Sequence, residues 1–221
     1  MQIKIKICGL TNKEDVQYIS KKVHAIGFII DVPIKTPRKI SLDKAIFLKN
    51  YVPIFTSLVA VLMPSSIEDV VNVYKELQPS AIQLHGYEDI EFIKNLKKIV
   101  NIPIIKALHI PKDDNLDINE IIKIAKSYSK YVDAILVDTK IENIKIEGKT
   151  HNWEVSKKIR ENIDKPLILA GGLNKNNVVD AIKKVQPYGI DVSSSLESEK
   201  GKKDYKKVDE FLGVVYKYLY Q

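Results

Sequence analysis

Short runs rich in Ile, Val, Leu and Ala recur roughly every 20 to 35 residues, each followed by a longer stretch in which apolar residues return at helical spacing. They predict strands over Gln2–Ile7, His24–Ile30, Ile54–Leu62, Ala81–Leu84, Ile102–Leu108, Val132–Val137, Leu167–Leu169 and Ile190–Val192, with a helix after each. Two helix starts match the capping box, Thr11 with Glu14 and Ser66 with Asp69, in which hydroxyl and carboxylate satisfy orphan backbone N–H groups. The segment from Tyr205 to Tyr216 puts Val208, Phe211, Leu212 and Val215 on one helix face, ready to close an outer layer.

Strand followed by helix, repeated, demands a parallel sheet, because each crossover returns right-handed and covers a sheet face. A doubly wound dinucleotide fold would carry a Gly-rich phosphate turn after its first strand, where this chain reads Cys8-Gly9-Leu10-Thr11. About eight units in one pass, with no linker or shift of composition, predict a (β/α)8 TIM barrel spanning residues 1–221 as a single domain.

Composition supports a globular protein, with 45% hydrophobic and 29% charged residues, and one cysteine excludes an internal disulfide. No window approaches the roughly 18 apolar residues of a membrane span, and the start lacks the apolar block of a signal peptide, so a cytoplasmic protein without membrane contact is expected. The net charge of +7 brings anionic partners into view. The lysines alternate with acidic residues, as in Lys13-Glu14-Asp15, and no Gly-aromatic RNA-binding signature appears, which favours a small phosphorylated or carboxylated ligand over nucleic acid.

In such a barrel the active site lies where the strands stop. Cys8 follows the first run, Arg38 lies in the loop after the second, His85 follows the fourth, Lys106 or His109 ends the fifth, and Asp138 ends the sixth. The last two runs contribute Gly171-Gly172, then Asp191 with Ser193-Ser194-Ser195. Glycine turns and serines after the final two strands suit an anion, through backbone N–H groups and hydroxyls. An aspartate at the edge of the apolar layer is expected to have its pKa raised by desolvation, and a basic Cys8 needs surroundings that favour thiolate. His24, His109 and His151 show no metal-ligand spacing with one another or with the cysteine.

In order, Lys6-Ile7-Cys8-Gly9-Leu10-Thr11, Thr36-Pro37-Arg38, Ile82-Gln83-Leu84-His85-Gly86, Leu136-Val137-Asp138-Thr139, Leu169-Ala170-Gly171-Gly172-Leu173 and Gly189-Ile190-Asp191-Val192-Ser193-Ser194 resemble the successive signatures of the phosphoribosylanthranilate isomerase family. The resemblance covers nearly the whole chain. It implies a (β/α)8 barrel that carries out the Amadori rearrangement of N-(5'-phosphoribosyl)anthranilate in tryptophan biosynthesis, with no cofactor and no metal. By position, it implies Cys8 as general base, Asp138 as general acid, Arg38 on the anthranilate carboxylate, Gly171, Gly172, Ser193 and Ser194 at the phosphate, and His85 and Asp191 near the substrate. A monomer or homodimer is expected. Ser195 stands where glycine is usual, and segment 140–148 lacks the family's glycine-rich run.

Two readings compete. A related phosphosugar barrel, such as indole-glycerol-phosphate synthase, would want a catalytic lysine, for which Lys106 is the candidate, and a metal-assisted epimerase would want His and Asp ligands at several strand ends. A non-catalytic barrel that binds nucleic acid rests on the +7 charge alone.

Overall fold

The computed structural model describes residues 3–111, 117–139 and 150–220. Its strands are β1 Lys4–Cys8, β2 Ala25–Ile30, β3 Lys39–Ile40, β4 Ser57–Leu62, β5 Ala81–Leu84, β6 Ile104–Ile110, β7 Ala134–Thr139, β8 Leu167–Leu169, β9 Gly189–Val192, β10 Glu197–Glu199 and β11 Lys202–Lys203. The helices are α1 Lys13–Ile19, α2 Leu42–Lys49, α3 Ile67–Leu77, α4 Ile90–Lys97, α5 Ile118–Ser129, α6 Trp153–Asn162, α7 Val178–Val185 and α8 Tyr205–Leu219. Parallel pairing runs β1-β9-β8-β7-β6-β5-β4-β2, and a further β1–β2 ladder closes the ring. The two-residue β3 adds to β2, and β10–β11 is a separate antiparallel hairpin after the last barrel strand. Both were too short to stand out in the hydrophobic pattern.

The alternation along each strand separates two cores. Ile5 and Ile7 of β1, Ile82 and Leu84 of β5, Ile135 and Val137 of β7, and Ile190 and Val192 of β9 pack outward in the layer shared with the helices. The other parity fills the barrel interior with Cys8, Val59, Val61, Ala81, Ile105, Ala107, Ala134, Leu136 and Ala170. Val208, Phe211, Leu212 and Val215 of α8 are buried, as the spacing predicts.

Two element starts move for a local reason. The third barrel strand begins at Ser57, because a turn in which the Thr56 N–H donates to the Pro53 carbonyl precedes it and leaves Ile54 92% and Phe55 95% exposed. The cap of α1 is Asn12, whose Oδ1 accepts from the Asp15 N–H at 2.8 Å, while Thr11 Oγ1 donates to the Gly201 carbonyl at 2.7 Å. A side chain that finds a tertiary partner gives up the cap to its neighbour. The Ser66–Asp69 capping box forms as expected. Gln2, at the start of the first predicted strand, and segment 140–148 lie outside the described residues.

Candidate active site

Strand parity assembles the site. Lys6 and Cys8 of β1, Gln83 of β5 with His85 just past it, His109 of β6, Asp138 of β7 and Asp191 of β9 share the parity of the interior residues, so their side chains gather at the C-terminal mouth. Lys106 has the opposite parity. It is buried toward the outer layer, where its Nζ donates to Glu88 Oε2 at 2.7 Å and to the Gly86 carbonyl at 2.7 Å, bracing the loop after β5. Burial lowers its pKa, and Glu88 resists that shift. The lysine that a synthase-type barrel would use is thereby a structural ion pair, and His109 is the β6 residue that faces the mouth.

Around Cys8 the packing is close. The thiol is 6% exposed, and Gly27 of β2 is its register partner. A Cβ on Gly27 would stand 2.7 Å from Cys8 Sγ and 3.2 Å from Lys6 Nζ, so sulfur and ammonium share the space that the missing side chain leaves. Lys6 Nζ donates to Asp191 Oδ2 at 2.7 Å, between register partners on β1 and β9. Burial pushes the Cys8 thiol above its ordinary value, with Asp191 adding to the push and Lys6 and Lys203 opposing it. Desolvation outweighs the two lysines, so the surroundings favour the thiol and the bias toward thiolate that a base needs must come from elsewhere.

Gly9, with φ +76°, turns the chain after Cys8, and a side chain there would strike Arg38 and Ser193. Arg38 lies over this turn and forms a two-pronged pair with Glu197, Nε to Oε1 and Nη2 to Oε2, each 2.7 Å. Lys203 Nζ also donates to Glu197 Oε1, at 3.1 Å. Two cations thus share one carboxylate. Glu197 is held below the ordinary carboxylate value although burial opposes this, because Arg38 and Lys203 both bond it. Neither Glu197 nor Lys203 was anticipated, since both arrive from the unpredicted β10–β11 hairpin.

Across the mouth, His85 Nε2 faces Asp138 Oδ2 at 3.5 Å, while Gln83 Nε2 donates to His85 Nδ1 at 3.0 Å. The His109 ring stands edge-on to His85 and its Nε2 donates to the His85 carbonyl at 2.9 Å. Burial pushes the Asp138 carboxyl up, but His85, His109 and the Thr139 N–H together outweigh it and hold the group below 3.8. The expected rise is overturned, because imidazoles, which the chain brings from two other strands, surround the carboxylate. Among the described residues, His85, His109 and Asp138 also form a group with metal-ligating atoms within 4.8 Å of one another. Spacing along the chain did not expose it, since β5, β6 and β7 each supply one member.

Gly171 and Gly172 take φ +86° and +68°, and a Cβ on Gly171 would strike Thr139 Oγ1. Thr139 is itself bonded to the buried His151, and Asn174 and Asn177 donate to the Gly172 carbonyl. Ser193 Oγ donates to the Cys8 carbonyl at 3.0 Å, and Ser195 Oγ to the Leu173 carbonyl at 2.6 Å. Those hydroxyls hold backbone in place, and Ser194–Leu196 forms a 3-10 turn in which Ser195 avoids positive φ, so serine there is unstrained.

The profile of the N-(5'-phosphoribosyl)anthranilate (PRA) isomerase family matches residues 5–214. This chain belongs to that family. It is 66% identical over 220 residues to the N-(5'-phosphoribosyl)anthranilate isomerase of Methanocaldococcus jannaschii, covering 97% of each chain. It is similar to a phosphoribosylanthranilate isomerase solved with reduced 1-(o-carboxyphenylamino)-1-deoxyribulose 5-phosphate, at TM-score 0.81 and 30% identity, covering 98% of this chain and 100% of that one. Monomers generated from the dimeric phosphoribosylanthranilate isomerase of Thermotoga maritima give TM-score 0.82 at 30% identity with the same coverage. The protein is thus a phosphoribosylanthranilate isomerase of tryptophan biosynthesis, built on a TIM barrel.

Proposed function

We propose that this isomerase works with Asp138 as general acid and Cys8 as general base at one mouth. Asp138 protonates the furanose ring oxygen, the C1'–O bond breaks and the anthranilate nitrogen forms an iminium at C1'. Cys8 then removes the C2' proton, giving an enolamine that becomes the ketone. Proton transfers suffice, and the scheme calls on no cofactor. The supporting observation is that a buried thiol and a carboxylate end interior-facing rows of β1 and β7, with Asp191 in the electrostatic field of both.

The charges and burial around the two groups favour the reverse of what the chemistry requires, a proton on Cys8 and none on Asp138. The number of protons is the same in both arrangements. The negative charges of the substrate raise the Asp138 pKa and draw the proton there before the ring opens, and the cationic iminium then stabilises the thiolate left on Cys8. Arg38 is assigned to the anthranilate carboxylate, supported by the place of its side chain against the Gly9 turn that follows Cys8. Gly171, Gly172, Ser193 and Ser194 are assigned to the phosphate, His85 to orienting Asp138, and Asp191 to orienting Lys6.

The barrel is assigned as one functional domain in the cytoplasm, acting on small phosphorylated carboxylates and not on nucleic acid. No helix among the described residues is long and apolar enough to cross a membrane. A homodimer is favoured over a monomer by Ile54 and Phe55, exposed on the loop that enters β4. The test is turnover of freshly generated phosphoribosylanthranilate, followed by loss of anthranilate fluorescence. Folded Cys8→Ala and Asp138→Asn should each lose about two to four orders of magnitude in kcat, and near wild-type kcat in either would remove that residue's role.

A further inference from the structure

A buried ion pair contributes little net stability, because desolvating two charges offsets most of their attraction. Lys6 and Asp191 are 5% and 8% exposed inside a barrel whose interior rows are mostly Val, Ala, Ile and Leu, where an apolar pair would serve packing as well. Their placement relative to Cys8 indicates what the charge is for. Lys6 and Cys8 are two residues apart on β1 and project to the same side. Asp191, the register partner of Lys6, holds the ammonium at 2.7 Å through Oδ2. Gly27, the register partner of Cys8, leaves the pocket that sulfur and ammonium occupy together. Both the sulfur and the ammonium lie within 3.2 Å of the point where a Gly27 Cβ would stand, which makes them neighbours in that pocket.

We infer that Lys6 is a positioning residue for the base, its ammonium, steered by Asp191, serving as the hydrogen-bonding counter-cation of the Cys8 thiolate. This rests on the assignment of Cys8 as base. An ammonium has three donors; one goes to Asp191, which leaves others for the sulfur beside it, so the lysine need not move far when the thiol ionises. The thiol state leaves Lys6 and Asp191 mutually neutralised, and the thiolate state adds one negative charge that Lys6 meets directly. The charged groups facing Cys8 are Lys6 from β1, Asp191 from β9 and Lys203 from β11. Lys6 and Asp191 act on it in opposite directions, and that opposition makes the role measurable apart from any structural one.

Cys8 is the sole cysteine, so protein labelled with 13C at the cysteine β-carbon gives one resonance whose shift titrates with the thiol. Lys6→Met should move that titration up by at least a pH unit, a tenfold loss of thiolate at a given pH. Lys6→Arg should restore most of it, and Asp191→Asn should move it below wild type. If Lys6→Met fails to fold with Asp191 left unpaired, Lys6→Met/Asp191→Asn compared with Asp191→Asn isolates the lysine and should show the same upward shift. Coincident titrations in either comparison would overturn the inference, as would shifts of one sign for both Lys6→Met and Asp191→Asn. Turnover is read separately: activity in Cys8→Ala would sink the base assignment and leave the titration result standing.

Discussion

His85 and Asp138 face each other at 3.5 Å from the ends of β5 and β7, and the histidine holds the carboxyl below its ordinary value of 3.8. Cys8 is held above 9.0. Activity needs one proton shared between the two groups, so kcat/KM should fall only when Asp138 takes up a second proton or Cys8 loses the last one. The profile of the free enzyme is therefore expected to be flat between those ordinary values, with an acid limb below 3.8 and an alkaline limb above 9.0. His85→Gln should move the acid limb upward. Steady-state kcat/KM against pH checks both, and an unmoved acid limb would detach His85 from Asp138.

His151 is buried, bonded to Thr139 and Ser156, and its pKa is pushed down to about 4 by desolvation, from 6.5. The unfolded chain takes up this proton first as pH falls. The contribution to stability is full above 6.5 and is lost progressively down to about 4, amounting to about 3 kcal/mol. Urea midpoints measured across that range should fall with pH, and His151→Gln should flatten the slope.

Arg38→Ala should chiefly raise KM, by removing a cation assigned to the substrate carboxylate. It also leaves the buried Glu197 with Lys203 as its remaining cation, at a loss of about 2 kcal/mol. Kinetics beside denaturant unfolding separate the two effects, and an unchanged KM would refute the assignment to the carboxylate.

Gly171→Ala drives a methyl group into Thr139 Oγ1 on a backbone at φ +86°. A destabilisation of about 3 kcal/mol is expected, together with reduced turnover, because Thr139 adjoins Asp138. A variant with wild-type melting and wild-type kcat would show that the β8 turn is more compliant than its packing indicates.

Much of this protein is written in its local sequence. Apolar alternation and turn chemistry determined the eight barrel strands, because each side chain's face follows from a period of two along its own strand. The same parity, applied one step further, separates His109 from Lys106 and puts Lys6 beside Cys8. What the chain alone did not decide is who meets whom across strands. Glu197 and Lys203 reach Arg38 from a hairpin too short to carry a periodic signal, and Thr11 yields its cap to Asn12 for a carbonyl at Gly201. The pKa direction at Asp138 ran opposite to the expectation for the same reason: ionisation answers to the sum of burial and neighbouring charge, and those neighbours come together only when the barrel closes.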